Sequence, residues 1–329
     1  MRRYQTETPE GEMKAIEFGN PEMDTAAIWL HATGFNAMTY QSILAPLGQR
    51  TRVAALDMRG HGRTTLPAEP KSLKSWHTYR DDVIEFLEKT VTKPVVLSGH
   101  SMGGCVALLV AGKRPDLVKG LVLVDPVILS KRFYFMKHAF PFLGPLMSAG
   151  NGMSRQARKR RAEFASPADA KKAYKGRGAF KTWREPFLED YLTDGLTRTE
   201  GNEADSDGES WRLSCDPAWE AATFNAQRNQ PWGALKTVRA ENIPTVILRP
   251  TQAPVMTKRV TNLIISKYPG IILKERPYTS HFHPMEVPYE VRSELSTTIS
   301  RLIDGFSAAD EGAVRRSFHG SGEFGDFDR

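Results

Sequence analysis

Pro94-Val95-Val96-Leu97-Ser98-Gly99-His100-Ser101-Met102-Gly103-Gly104-Cys105-Val106-Ala107-Leu108 is the stretch that decides the fold. Its β-branched start reads as a buried strand, and the small apolar run after Gly103 reads as a helix. Ser101 stands between them, at the tip of a sharp strand-to-helix turn. Side chains two positions either side of the tip would collide, which accounts for Gly99 and Gly103. The helix that begins at Met102 aims free backbone N–H groups at the place where an oxyanion would form, the Met102 amide first among them. A glycine-serine-glycine pattern alone turns up by chance in loops. The strand before it, the helix after it and the second glycine at 104 give it meaning.

The surrounding composition is that of a globular chain. With 329 residues, 40% hydrophobic and 25% charged, it can bury one large core and still carry an insertion. No apolar run approaches the ~20 residues of a membrane-spanning helix, so no stable membrane insertion is expected. Two arginines near Met1 have no apolar run behind them, which argues against a secretory signal and makes cytoplasmic the expected location. Cys105 and Cys215 do not make a disulfide framework, and Cys105 reads as a small core residue. No His/Cys/Asp cluster has metal-ligand spacing and no glycine-rich phosphate loop appears, so neither metal nor cofactor is expected.

The formal charge of +7 is unevenly spread. Residues 153–184 hold eleven Lys/Arg against two Asp/Glu, and residues 185–220 hold eleven Asp/Glu against two Arg. Adjacent blocks of opposite sign face each other or water more readily than they bind nucleic acid. The run from Arg155 to Arg161 accordingly reads as a solvated helix face, with no nucleic-acid partner expected.

Residues 1–125 alternate strand and helix in the doubly wound manner, with strands at 26–31, 53–57, 95–98 and 120–124 and a helix from Tyr79 to Thr90. Residues 126–241 change character, with aromatics, prolines, charge blocks and a turn-like loop at 201–208. Strand patterns resume at 243–249 and 270–273, and a long helix from about Pro288 to Ile303 closes the sheet. The last stretch, 305–329, has little to bury and reads as a disordered tail.

The order of these pieces resembles the α/β-hydrolase superfamily. Four segments carry the resemblance: Leu30-His31-Ala32-Thr33-Gly34-Phe35-Asn36; Asp57-Met58-Arg59-Gly60-His61-Gly62-Arg63-Thr64; the Ser101 turn; and Thr279-Ser280-His281-Phe282-His283-Pro284-Met285-Glu286-Val287-Pro288. The resemblance implies a mostly parallel, doubly wound sheet in two parts, 1–125 and 242–304. It also implies a mainly helical cap insertion at 126–241 that roofs a pocket.

Ser101 needs a base, because a serine hydroxyl is a poor nucleophile at neutral pH. Chemistry alone leaves His281 and His283 both open. The family's closing segment, with a histidine five residues before a glutamate and seven before a proline, favours His281. His31 and His100 read as structural, held in tight turns. Most of the superfamily places the acid in the loop after the strand equivalent to 245–249. Ala253 occupies that position here, and an alanine cannot orient a histidine. Some members supply the carboxylate one strand earlier, which points to Asp125, with Asp57 a distant alternative. The resemblance also implies a second oxyanion donor from the His31–Phe35 turn, the amide of Thr33 or alternatively of Phe35.

Serine rather than aspartate at 101 suits acyl transfer. The resemblance thus implies an ester or lactone hydrolase, and the partner expected is a small ester-like molecule with an apolar group. Thioester or C–C bond hydrolysis, and a non-catalytic ligand-binding relative, stay open. Aromatic side chains of the insertion, among them Trp183, Phe187, Tyr191 and Trp219, are candidates either for a pocket wall or for the insertion's own core.

Overall fold

The computed structural model describes residues 1–140, 152–199 and 210–303; the loop read at 201–208 and the tail at 305–329 lie outside them. Before the insertion come β1 (Arg2–Thr8), β2 (Gly11–Phe18), β3 (Thr25–Leu30), β4 (Arg52–Leu56), β5 (Val95–His100) and β6 (Val118–Val124). Within it lie β7 (Glu163–Phe164), β8 (Leu196–Thr199) and β9 (Ser210–Leu213), and after it β10 (Thr245–Pro250) and β11 (Ile271–Arg276). The main sheet runs β1-β2-β4-β3-β5-β6-β10-β11, and β7-β9-β8 is a separate antiparallel sheet. From β4 to β11 every pairing is parallel; β1–β2 and β2–β4 are antiparallel.

β3, β5 and β10 are buried at every residue, as strands covered on both faces must be. One face is packed by Val83, Phe86 and Leu87 of helix His77–Thr90 and by helix Met102–Lys113. The other is packed by Ile43 and Leu44 and by Val291, Leu295 and Ile299 of helix Pro288–Leu302. No described helix is long and apolar enough to cross a membrane.

Two features depart from the sequence reading. The β1–β2 hairpin extends the sheet where no strand pattern had been assigned, because Arg2–Thr8 is mostly polar and exposed. Helix Pro231–Ala240 packs along Met102–Lys113, so closely that a Cβ added at Gly112 would lie only 2.5 Å from that of Ala234. It therefore lies directly on a helix of the core.

Buried polar contacts tie the insertion to the core. Asp190 accepts from Gln41 Nε2 and Ser42 Oγ, both at 2.6 Å. Asp194, its side chain fully buried, accepts from Arg3 of β1 and from Arg63, each at 2.6 Å. In helix Pro217–Asn225 the Thr223 carbonyl takes the Trp76 indole N–H at 2.9 Å, and Trp219 donates to the Arg59 carbonyl at 3.1 Å. Opposite charges within the insertion also meet, as in Arg161–Asp169, Lys171–Glu189 and Lys175–Glu185.

Three buried imidazoles hold the loops at the carboxyl ends of the strands. His31 donates through Nδ1 to the Ala32 carbonyl (2.8 Å) and accepts the Met58 N–H on Nε2 (2.9 Å). His61 donates through Nδ1 to the Arg59 carbonyl (2.9 Å) and accepts the Gly34 N–H on Nε2 (3.1 Å). Tyr40 accepts the Ala32 N–H (3.1 Å) and so gives its own proton to His100 Nδ1 (2.9 Å). His100 Nε2 then donates to the His281 carbonyl (2.8 Å). Each ring has one donor and one acceptor position, so only its neutral form fits. Burial lowers all three pKa values, that of His61 to about 4.

This wiring makes the fold sensitive to acid. In the unfolded chain the rings take up protons near pH ~6.5, whereas in the folded chain they stay neutral to far lower pH. The unfolded state binds more protons across that window, so unfolding free energy falls as pH drops below ~6.5. Burial raises the carboxyls of Asp57 (to about 7), Asp82 and Asp190, which opposes this, but it lowers the imidazoles of His77 and His283 as well, so five rings stand against three carboxyls. Thermal melts should show Tm falling from about pH 7 to about pH 5. His61→Gln should flatten the slope, and a Tm that rises on acidification would contradict the wiring.

Gly103 sets the second expectation. A Cβ there would lie 2.2 Å from the Leu30 carbonyl oxygen and 2.6 Å from that of His31, both backbone atoms. Gly103→Ala should cost about 3 kcal/mol, seen as a lower urea midpoint at unchanged m-value. Gly152→Ala, where nothing lies within 4 Å, should leave the midpoint unchanged or slightly higher.

Candidate active site

Consecutive strand ends build the site. β5 delivers Ser101, β3 the His31–Phe35 turn, β6 Asp125, β10 the loop around Ala253, and β11 the loop bearing His281. Ligands of open α/β sheets bind at this carboxyl edge, where loops from neighbouring strands converge.

Ser101 has φ 57° and ψ −113°, a left-handed conformation that costs a non-glycine residue energy and lifts Oγ off the sheet. Its amide is held by the Val124 carbonyl at 2.9 Å. Oγ lies 3.0 Å from His281 Nε2, and His281 Nδ1 lies 2.6 Å from Asp125 Oδ2. The three side chains thus form one line of hydrogen bonds. Asp125 is fully buried and Ser101 nearly so, while His281 keeps about a fifth of its side-chain surface exposed.

Asp125 also sits at positive φ (37°), directly after β6. The same Oδ2 that faces His281 accepts the Val255 N–H at 3.1 Å. The β10 loop therefore supplies a backbone amide to the carboxylate instead of a carboxylate of its own. Ala253, at φ 45°, shapes that loop. No residue type betrays a backbone donor, so sequence reasoning could not find it.

Asp57 lies elsewhere. Its carboxylate accepts the Ala37 N–H at 2.7 Å and the Arg63 N–H at 3.0 Å, closing the turn that follows β4. His283 is fully buried, begins the short helix His283–Glu286, and finds no hydrogen-bond partner for either ring nitrogen among the described residues. Burial lowers its pKa to about 4. Glu286, quoted only for its spacing, accepts from the Ser280 N–H (2.8 Å) and from Thr182 Oγ1 (2.6 Å), bracing the His281 loop against the insertion.

The turn after β3 discriminates between the two candidate oxyanion donors. Ala32 N–H goes to Tyr40, Gly34 N–H to His61, Phe35 N–H to the Ala32 carbonyl at 3.1 Å, and Asn36 N–H to Thr39 Oγ1. Of positions 32–36, Thr33 is the one whose amide finds no acceptor among the described residues. The Met102 amide, first of its helix, has none either. Buried amides left unspent are rare unless something is to be bound there. Thr33 Oγ1 meets Met102 Sδ at 3.4 Å, so the two turns touch.

Aromatic rings gather beside His281. Phe282 lies 5.5 Å from the imidazole, Phe35 lies 6.3 Å from Phe282, and Trp183 meets Phe35 edge-on at 5.0 Å. Phe187, Tyr191 and Trp219 are buried in the packing between insertion and core. Among the described residues no group of three or more His, Cys, Asp or Glu side chains converges as a metal ion would need.

Comparison with known proteins agrees with this architecture. The mouse (Mus musculus) sn-1-specific diacylglycerol lipase ABHD11 is 37% identical over 102 residues, 30% of this chain and 32% of that protein. Human (Homo sapiens) monoglyceride lipase is 32% identical over 105 residues, 30% of this chain and 34% of that protein. The matches thus span about a third of the length of these relatives. The crystal structure of E-2-(acetamidomethylene)succinate hydrolase superposes with a TM-score of 0.68 at 18% identity, covering 92% of this chain and 99% of that one. The model of the α/β-hydrolase family matches residues 27–294, nearly everything from β3 to the last helix, and the chain belongs to that family.

Proposed function

We propose that the chain is a serine hydrolase of carboxylic esters or lactones, working through an acyl-enzyme. The observation that carries this reading is the line Ser101 Oγ–His281–Asp125, at 3.0 and 2.6 Å. In this reading His281 Nε2 takes the proton of Ser101 as Oγ attacks the substrate carbonyl. The Thr33 and Met102 amides receive the oxyanion, and His281 returns its proton to the departing alcohol. Water, activated by the same imidazole, then releases the acid. Asp125 holds Nδ1–H and stabilises the imidazolium, a role the additional bond from Val255 supports by fixing Oδ2. The insertion acts as a cap, and Phe35, Trp183 and Phe282 offer an apolar wall for one side of the substrate. Relatives named as diacylglycerol and monoglyceride lipases favour ester cleavage over thioester or C–C cleavage. His283, buried and unbonded to Ser101, makes a poor base.

Ser101→Ala should fold normally, lose all fluorophosphonate labelling and lose at least ~10⁴-fold in p-nitrophenyl ester turnover. Retention of several per cent of wild-type turnover would rule out the acyl-enzyme. Asp125→Asn should keep the fold yet lower kcat by roughly 10²–10⁴-fold, since it favours the wrong imidazole tautomer. His281→Ala should match Ser101→Ala, and a larger loss from His283→Ala would reverse the choice of base. A p-nitrophenyl ester series should show kcat/KM rising with acyl length if the aromatic wall receives the acyl group.

A further inference from the structure

A carboxylate stands against the turn that would receive the oxyanion. Glu220, on helix Pro217–Asn225 of the insertion, is 7% exposed. Its Oε1 lies 2.7 Å from where a Cβ on Gly34 would stand, which places it in contact with the residue after Thr33. A negative charge in that position opposes a second one developing on the substrate oxygen nearby. Water screens little at a site this buried.

Arg160 answers that charge. Its Nη1 donates to Glu220 Oε2 at 2.5 Å and lies 3.2 Å from the same Gly34 position. Nη2 donates to Tyr191 OH at 2.9 Å and Tyr174 OH at 3.3 Å, and the guanidinium lies 5.5 Å from the Tyr174 ring centroid. The cation is thereby fixed in place by groups that carry no charge. His61, on the other side of the Gly34 amide, is neutral by its own wiring.

We infer that Arg160 is a positioning residue for the reaction: it neutralises Glu220 on the oxyanion turn and so keeps that turn able to stabilise negative charge. The inference rests on the acyl-transfer reading above. It differs from a purely structural salt bridge in one respect. A structural pair loses about equally when either half is removed, whereas here the two halves have opposite consequences for the transition state.

The test measures kcat and KM for p-nitrophenyl butyrate with the full-length protein, with folding followed by circular dichroism. Arg160→Met leaves Glu220 uncompensated and should lower kcat by about 10–100-fold with KM little changed. Arg160→Lys keeps the charge and should retain most of the activity. Glu220→Gln should match or exceed wild type, and the double variant Arg160→Met/Glu220→Gln should recover to within a few-fold of Glu220→Gln. Should Arg160→Met fail to fold, the comparison of the double variant with Glu220→Gln still decides, because Arg160 matters only while Glu220 is charged. Equal losses from both single variants, or no recovery in the double, would overturn the inference while leaving Ser101-dependent hydrolysis intact. A wild type without Ser101-dependent hydrolysis would instead overturn the reading of the site, and the inference with it.

Discussion

Helix Met102–Lys113 approaches the backbone of Leu30 and His31 so closely at Gly103 that no side chain fits between them. Everything at the carboxyl edge of the sheet depends on that approach. It puts the start of the helix beside the turn after β3, where Thr33 Oγ1 meets Met102 Sδ at 3.4 Å. It also forces the tight turn in which Ser101 takes its left-handed backbone, supported from the other side by the Val124 carbonyl. The chain could have relieved the strain with a glycine at 101. It carries a hydroxyl there, and strain kept at a polar side chain points to use, as the proposed nucleophile would require.

Around that contact the protein handles charge sparingly. His31, His61 and His100 work as neutral connectors, each passing one hydrogen bond in and one out, so the loops they hold gain rigidity without a buried ion. Asp125, the carboxylate bonded to His281, shares one oxygen between an imidazole and an amide. Buried ions are costly unless paired and hydrogen-bonded, and Asp57, Asp190 and Asp194 are each held by two donors.

Much of this was legible in the sequence, for physical reasons. Strand, glycine, serine, glycine and helix form a pattern only a few backbone paths can satisfy, and the buried parallel strands are near-continuous apolar runs. Asp125 could be singled out because Ala253 cannot do a carboxylate's work. What stayed hidden lacked a residue-type signature. The Val255 amide is backbone, and Arg160 and Glu220 belong to opposite charge blocks 60 residues apart that composition reads as solvated surface. The β1–β2 hairpin was missed because an edge strand needs few apolar residues to pair. Thr33 and Phe35 could be told apart only by following where each amide of the turn goes.

Asp194 has a bearing on how such a chain could be recombined. Its buried carboxylate belongs to the insertion, but its two guanidinium partners come from the first strand and from the turn after β4, one of them 191 residues away. A chimera that transplanted the insertion onto another family scaffold would carry the carboxylate and leave Arg3 and Arg63 behind. Stranding a buried ion in that way costs about 3–5 kcal/mol, a large part of what keeps a typical domain folded. The segment that looks most modular in the sequence is therefore not exchangeable by itself, and its evolutionary history is bound to residues at the opposite end of the chain.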